Sequence, residues 1–268
     1  MDEVNIARRI LGWSVAVAFA AAGVRRRVLA RLRAGAALPV VVHALPADEL
    51  EKLLAWLKRH GVLDRLWLTF DDGWTTVKDC LPVLEKFGVK AKLFIAPGQT
   101  LRGNVWTDEA RQLGIPDVEW RSWYPLDESA RNRCLDEANG GKVQVVRRLL
   151  TPDEVKAISA HPLIDVENHT WSHLSATHRP LKEVIGEVAR AQETISEWTG
   201  RAPEYVAWPF GRGNPELEAA AKKMGLVPVY TRQGYEIPQC RNMAIEDVSF
   251  QENLGRILGA WPKVGETL

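Results

Sequence analysis

Six short apolar runs punctuate this chain, and they constrain its fold more than any other feature. They are LPVVVH (38–43), RLWLTF (65–70), VKAKLFI (89–95), LIDVEN (163–168), EYVAW (204–208) and LVPVYT (226–231). Each is too short for an ordinary helix and has the near-continuous apolar character of a strand buried on both faces. Helix-like stretches lie between them, at 47–60, 75–87, 151–160, 180–199 and 214–224. Thr151-Pro152-Asp153-Glu154 sets a capping residue, a proline at the first helical position and acids in the first turn; Asn214-Pro215-Glu216 repeats the pattern. Gly61, Gly88, Gly200 and Gly225 stand where these helices should stop. Such alternation predicts an α/β fold, a parallel sheet covered by helices and either open or closed into a barrel.

In folds of this kind chemistry gathers at the carboxyl ends of the strands. Four of the predicted strands end on chemically unusual residues: His43, the pair Asp71–Asp72, His169, and the segment Trp208–Gly211. Residues 101–150 break the rhythm, with prolines, three tryptophans and little period before a helix near 128–139. They read as an insertion over the active face.

The N-terminus has a different character. ILGWSVAVAFAAAGV (10–24) is apolar but shorter than the roughly 20 residues that span a bilayer. Residues 1–37 carry seven arginines against two acids. Three readings fit: a helix lying on an anionic inner-membrane face, a helix packed on the protein itself, or a signal or anchor segment. The arginines at 25–27 argue against export. Residues 1–37 are therefore set apart from 38–268.

Composition narrows the partners. A formal net charge of +1 provides no global field for nucleic acid, so none is expected. Three widely spaced cysteines make neither a disulfide framework nor a thiolate zinc site, which suits a reducing, cytoplasmic setting. Eleven tryptophans suit glycan-stacking and ordinary cores alike.

The paired acids of LTFDDGW pose the central question, since adjacent carboxylates repel. A surface turn could hold both. A metal site could too, one carboxylate binding a dication and the other acting as a base beside it. ENHTWSH supplies the complement. His169 and His173, four apart, can face the same way and form half of a zinc site, or they can be two surface histidines on a capped turn. Together the segments offer one carboxylate and two imidazoles, with positions left open for water and substrate. That is a catalytic donor set rather than a structural one.

TFDDG followed by HTWSH resembles the polysaccharide deacetylase family, the NodB-homology carbohydrate esterases, over about Leu38 to Glu246. The resemblance implies a distorted (β/α) barrel and a divalent metal, usually Zn2+. It also implies hydrolysis of an N-acetyl or related acyl group from an amino sugar. Matched by position, Asp71 is the general base, while Asp72, His169 and His173 are the metal ligands. VAWPFG resembles the family's R-Y-P-Y-G motif, which makes the backbone N–H of Phe210 the oxyanion donor.

Two departures stand out. The motif arginine falls on Ala207, although relatives reading A-Y-P-Y-G exist, and Arg212 or Arg241 could take its part. No histidine follows His178, so a late general acid is missing. LPVVVHAL, however, resembles the segment that opens a permuted branch of the family, which includes exopolysaccharide deacetylases. In that branch the acid is carried by the first strand, here His43.

The expected partner is an N-acylated amino-sugar glycan or glycolipid, in an envelope polysaccharide or its lipid- or nucleotide-linked precursor. N-deformylation is a close variant. The expected location is cytoplasmic, with residues 1–37 touching the inner membrane face. A catalytically silent glycan-binding relative is the competing class. Trp74, Trp171 and Trp208 flank the motifs and could stack on sugars or fill the core; His60, His161 and His178 receive no function.

Overall fold

The structure is a computed structural model that describes residues 23–231, 240–243 and 250–258. The apolar run expected at 10–24 therefore lies almost wholly outside the described residues. Seven strands follow one another in chain order round a closed barrel: β1 (Leu38–Val42), β2 (Leu66–Phe70), β3 (Ala91–Ile95), β4 (Ile164–Asn168), β5 (Tyr205–Ala207), β6 (Val227–Thr231) and β7 (Cys240–Met243). The pairs β1–β7, β3–β4, β4–β5 and β5–β6 are parallel. This is the distorted (β/α) barrel that the sequence motifs imply. β7 was not expected, because its sequence, CRNM, contains no apolar run.

The chain forms two compact units, and each is described by itself. Of the described residues, the first comprises 23–69, 79–90, 231, 240–243 and 250–258. Its helix Ala47–Arg59 buries Leu50, Leu53, Leu54, Trp56 and Leu57, the stripe expected of an amphipathic helix. Helix Val24–Arg33 packs in the same unit. Val28, Leu29 and Leu32 are buried, while Arg25, Arg26, Arg27, Arg31 and Arg33 are exposed. Arg33 also donates to the His60 carbonyl, and His60 closes the helix Ala47–Arg59. Among the described residues no helix is long and apolar enough to cross a membrane.

The second unit comprises residues 70–78 and 91–230. β3 and β4 pair along their full length, from Ala91 opposite Ile164 to Ile95 opposite Asn168. Helix Leu181–Thr199 turns Val184, Val188, Ala191 and Ile195 inward. The stretch 101–150 is more ordered than its sequence suggests. Helices Trp106–Gln112, Asp117–Arg121 and Glu128–Asn139 contribute to a core cluster that includes Trp106, Trp120, Trp123 and Leu135. Its tryptophans thus fill an interior, and their large area explains how such short helices stay packed.

Candidate metal centre

Asp71, Asp72, His169, His173, Ala207 and Phe210 all belong to the second unit. Asp71 and Asp72 directly follow β2, and both are buried. His169 directly follows β4, and its N–H bonds to the Ile95 carbonyl of β3 at 2.9 Å. Four residues on, His173 returns to the same place. Asp72 Oδ1 lies 3.3 Å from His169 Nε2 and 3.2 Å from His173 Nε2. The three ligand atoms all fall within 4.8 Å of one another, in a fully buried cluster.

Local conformation brings them there. Among the described residues four non-glycines have positive φ: Asp72 (71°), Thr170 (64°), His173 (52°) and Phe210 (61°). Aspartate and histidine tolerate this region, but a β-branched threonine and a phenylalanine do so at a cost of about 1–3 kcal/mol each. All four sit in the three motif segments at the ends of β2, β4 and β5. Strain concentrated at three adjoining loops indicates a site shaped for something other than stability.

The hydrogen bonds orient the donors. His169 Nδ1 lies 2.8 Å from the Ala207 carbonyl, which can only accept, so Nδ1 carries a proton, and in the neutral ring the Nε2 lone pair faces Asp72. Trp74 Nε1 donates to Asp72 Oδ2 at 3.1 Å, which turns Oδ1 toward the imidazoles. A carboxylate oxygen and an imine lone pair at 3.3 Å repel unless a proton or cation lies between them. His173 Nδ1 is buried with no hydrogen-bond partner among the described residues. A divalent cation held by Asp72, His169 and His173 would relieve that repulsion, and the donor set suits Zn2+. The residues present therefore fit the metal that the motifs imply.

Electrostatics differ between the two imidazoles. Burial alone would push the His169 imidazole down, but hydrogen bonding to Asp72 and the charges of Asp71 and Asp72 outweigh it and hold the group above its ordinary value. His173 stays below its ordinary value because burial dominates there.

The Phe210 ring packs on the His173 ring at 4.9 Å and on Tyr124 at 4.8 Å. Its left-handed backbone interrupts the short helical turn Pro209–Gly211 after β5. Arg212, one of two expected stand-ins for the motif arginine, has its guanidinium 5.2 Å over the Tyr124 ring. The side chain of Arg241 lies outside the described residues. His43 directly follows β1 in the first unit and is half-buried. Trp171 and Trp208 are buried, which settles both as core residues; Trp74 is half-buried.

The fold and this buried donor set define a (β/α) barrel with a candidate metal centre. The chain belongs to the polysaccharide deacetylase family, whose model matches residues 58–229. It is 24% identical to the Bacillus subtilis (strain 168) protein YxkH over 159 residues, an alignment that spans 59% of this chain and 41% of that one. Among solved structures it resembles IcaB from Ammonifex degensii, with a TM-score of 0.56 at 18% identity over 84% of this chain and 98% of that one. A de-N-acetylase from Aggregatibacter actinomycetemcomitans gives 0.52 at 16% identity, over 81% and 97%. BC0361, a polysaccharide deacetylase from Bacillus cereus, gives 0.55 at 16% identity, over 81% and 67%. At these identities the structural likeness speaks for the fold alone.

Proposed function

We propose that this chain is a divalent-metal hydrolase, served by Zn2+, that removes an N-acetyl or N-formyl group from an amino sugar. The sugar belongs to an envelope polysaccharide or to its lipid- or nucleotide-linked precursor. One observation carries the reading: the buried Asp72–His169–His173 cluster has a second buried carboxylate, Asp71, beside it in the chain. A pure binding module has no use for a base next to a metal.

When bound, the ion supplies Lewis-acid polarisation of the acyl carbonyl and a lower pKa for water. Asp71 takes the proton as water attacks. The Phe210 N–H donates to the oxyanion of the tetrahedral intermediate, a contribution of about 3 kcal/mol. His43 gives a proton to the departing amine; that role rests on the resemblance of its strand alone. Residues 38–268 make up the catalytic part in this reading. The exposed arginines of helix Val24–Arg33 support electrostatic contact of residues 1–37 with an anionic inner membrane face, and a cytoplasmic location is part of the same proposal. The apolar side of that helix is already buried in its own unit, so the contact would be through charge.

Ala207 in place of the motif arginine favours a second reading, a catalytically silent glycan binder. Elemental analysis of the purified chain, combined with acetate and formate release from N-acylated glucosamine oligomers with and without chelator, separates the two. Chelator-sensitive release supports the hydrolase. A metal-loaded protein that releases no acyl group from a broad panel supports the silent relative, and a chain that takes up no divalent metal overturns the first reading.

A further inference from the structure

The loop His169–His173 is held in a conformation that its residues do not favour. Thr170 and His173 both have left-handed backbones, so local preference pulls the loop away from the shape that brings His173 to Asp72. Contacts from elsewhere must oppose that pull. Trp106 Nε1 donates to the His173 carbonyl at 3.0 Å. Arg131 Nη2 donates to the Ser172 carbonyl at 3.0 Å and to its hydroxyl at 2.7 Å. Glu128 accepts from Trp171 Nε1 at 2.9 Å. Three consecutive loop residues are thus gripped by the segment 101–150. From the other side Glu187, on helix Leu181–Thr199, accepts the Ser172 N–H at 2.7 Å and its hydroxyl at 2.9 Å.

Arg131 is the unusual member. It is 1% exposed, and its guanidinium lies 5.1 Å over the Trp106 ring. Burial brings it down to about 10, so it remains charged at neutral pH. A buried cation is an expensive way to fill space, and an apolar side chain of similar volume commonly serves stability as well or better. What an apolar side chain lacks is a directed donor. Here one nitrogen reaches both oxygens of the residue that stands just before His173.

We infer that Arg131, working with Glu187 through Ser172, is a positioning residue for the metal centre: it fixes the loop that presents His173 to Asp72 and His169. The inference rests on the reading of those three residues as metal ligands. It also gives the segment 101–150 a task at the site besides covering it. Trp106 completes the grip at the His173 carbonyl.

The test uses the full chain with Zn2+ and Co2+ as probes. Three variants are compared with the parent: Arg131→Met, Arg131→Lys, and the double variant Arg131→Met with Glu187→Gln, which leaves no carboxylate at Ser172 facing a lost cation. Zn2+ affinity is measured by competition with a chromophoric chelator, ligand geometry by the visible absorption of bound Co2+, and folding by melting of the metal-free protein. Removal of an outer-shell partner typically weakens metal binding about 10–100-fold, and that loss is expected in both Met variants, with altered Co2+ bands. Arg131→Lys keeps the charge but not the fork, and should fall between. A folded Met variant with parental Zn2+ affinity and parental Co2+ bands overturns the inference. Should the Met variants fail to fold, Ser172→Ala removes the hydroxyl that Arg131 and Glu187 share, and unchanged Zn2+ affinity there overturns it equally. A parent chain that binds neither ion is a separate result: it overturns the metal reading before any variant is compared.

Discussion

Ala207 and His169 are joined by a 2.8 Å hydrogen bond that decides the tautomer of the imidazole. Ala207 stands where the family's motif arginine would be, yet its carbonyl, which any residue would provide, still steers the ring. With Nδ1 so engaged, Nε2 is committed to Asp72 and to whatever lies between them. Metal should therefore stabilise the folded chain. At a free Zn2+ concentration 100 times the dissociation constant the gain is about 2.7 kcal/mol. For a chain of this size that corresponds to roughly 5–10 °C in melting temperature. Thermal melts with Zn2+ and after chelation measure it. His169→Ala should abolish the shift, and a shift that survives that substitution would place the metal elsewhere.

The two neighbouring acids should fail in different ways. Asp72→Ala removes the oxygen shared by both imidazoles and should lose metal along with activity. Asp71→Asn keeps the size and the burial but cannot accept a proton, so turnover should fall by 100-fold or more, in the range of about 10²–10⁴ for a lost general base, with metal retained. Elemental analysis beside acyl-release rates distinguishes the two patterns. Near-full activity in Asp71→Asn would show that the base has been assigned to the wrong residue.

His43 is proposed as the acid, and its loss should appear in turnover rather than in metal content. His43→Gln should lower kcat by about 10²–10⁴-fold, the range for a general acid, while Zn2+ affinity stays at the parental level. Substrates with activated leaving groups need little help from an acid, so they should recover much of the lost rate. If the fall is the same for activated and ordinary substrates, His43 acts in some other way.

Gly98 marks a close approach that sequence patterns do not show. Its N–H bonds to the Trp171 carbonyl at 2.9 Å. A Cβ at this position would lie 2.9 Å from that carbonyl oxygen and 2.7 Å from the Trp171 indole nitrogen. The backbone cannot give way without moving the loop that carries His173. Gly98→Ala should cost about 1–3 kcal/mol, the usual range for overpacking, and weaken Zn2+ binding as well. Chemical denaturation of the metal-free protein and chelator competition read the two effects separately.

Much of this architecture was legible in the sequence because buried strands announce themselves. The run at 163–168 became β4 at Ile164–Asn168, and the run at 65–70 became β2 at Leu66–Phe70. The glycines at 61, 88, 200 and 225 all have the left-handed φ that ends a helix. Pairing Asp72 with two histidines was legible as well, since each motif follows a strand and the strand ends meet in such a fold. The helix expected near 128–139 is found at Glu128–Asn139, whereas β7 and the shorter helices Trp106–Gln112 and Asp117–Arg121 were not legible, because their apolar residues follow no sustained period. The Arg131–Ser172 contact joins residues 41 apart, and nothing in either neighbourhood names the other. Trp171 and Trp208 could have faced sugar or core, and only tertiary packing decides in favour of the core.

The capping box at Thr151 gives a prediction that is independent of the site. Thr151 Oγ1 accepts the Glu154 N–H at 3.2 Å, and Glu154 Oε2 accepts the Thr151 N–H at 2.8 Å. Thr151→Ala should cost about 1 kcal/mol. Glu154 also bonds Lys78 Nζ at 2.5 Å. That hydrogen bond first, and the Thr151 N–H second, hold its carboxyl below the ordinary 4.5. A depressed folded-state value means the charged form is favoured on folding. The contribution is then fully present above about pH 4.5, the ordinary value, and fades as the pH falls through the lower folded-state value. Parent and Glu154→Gln should thus differ in denaturant midpoint at pH 7 and draw together as the solution is acidified below 4.5. The carboxylate is partly exposed, so the difference at pH 7 should be small and should shrink further in high salt. A gap that widens on acidification would mean that the Glu154 charge opposes the fold.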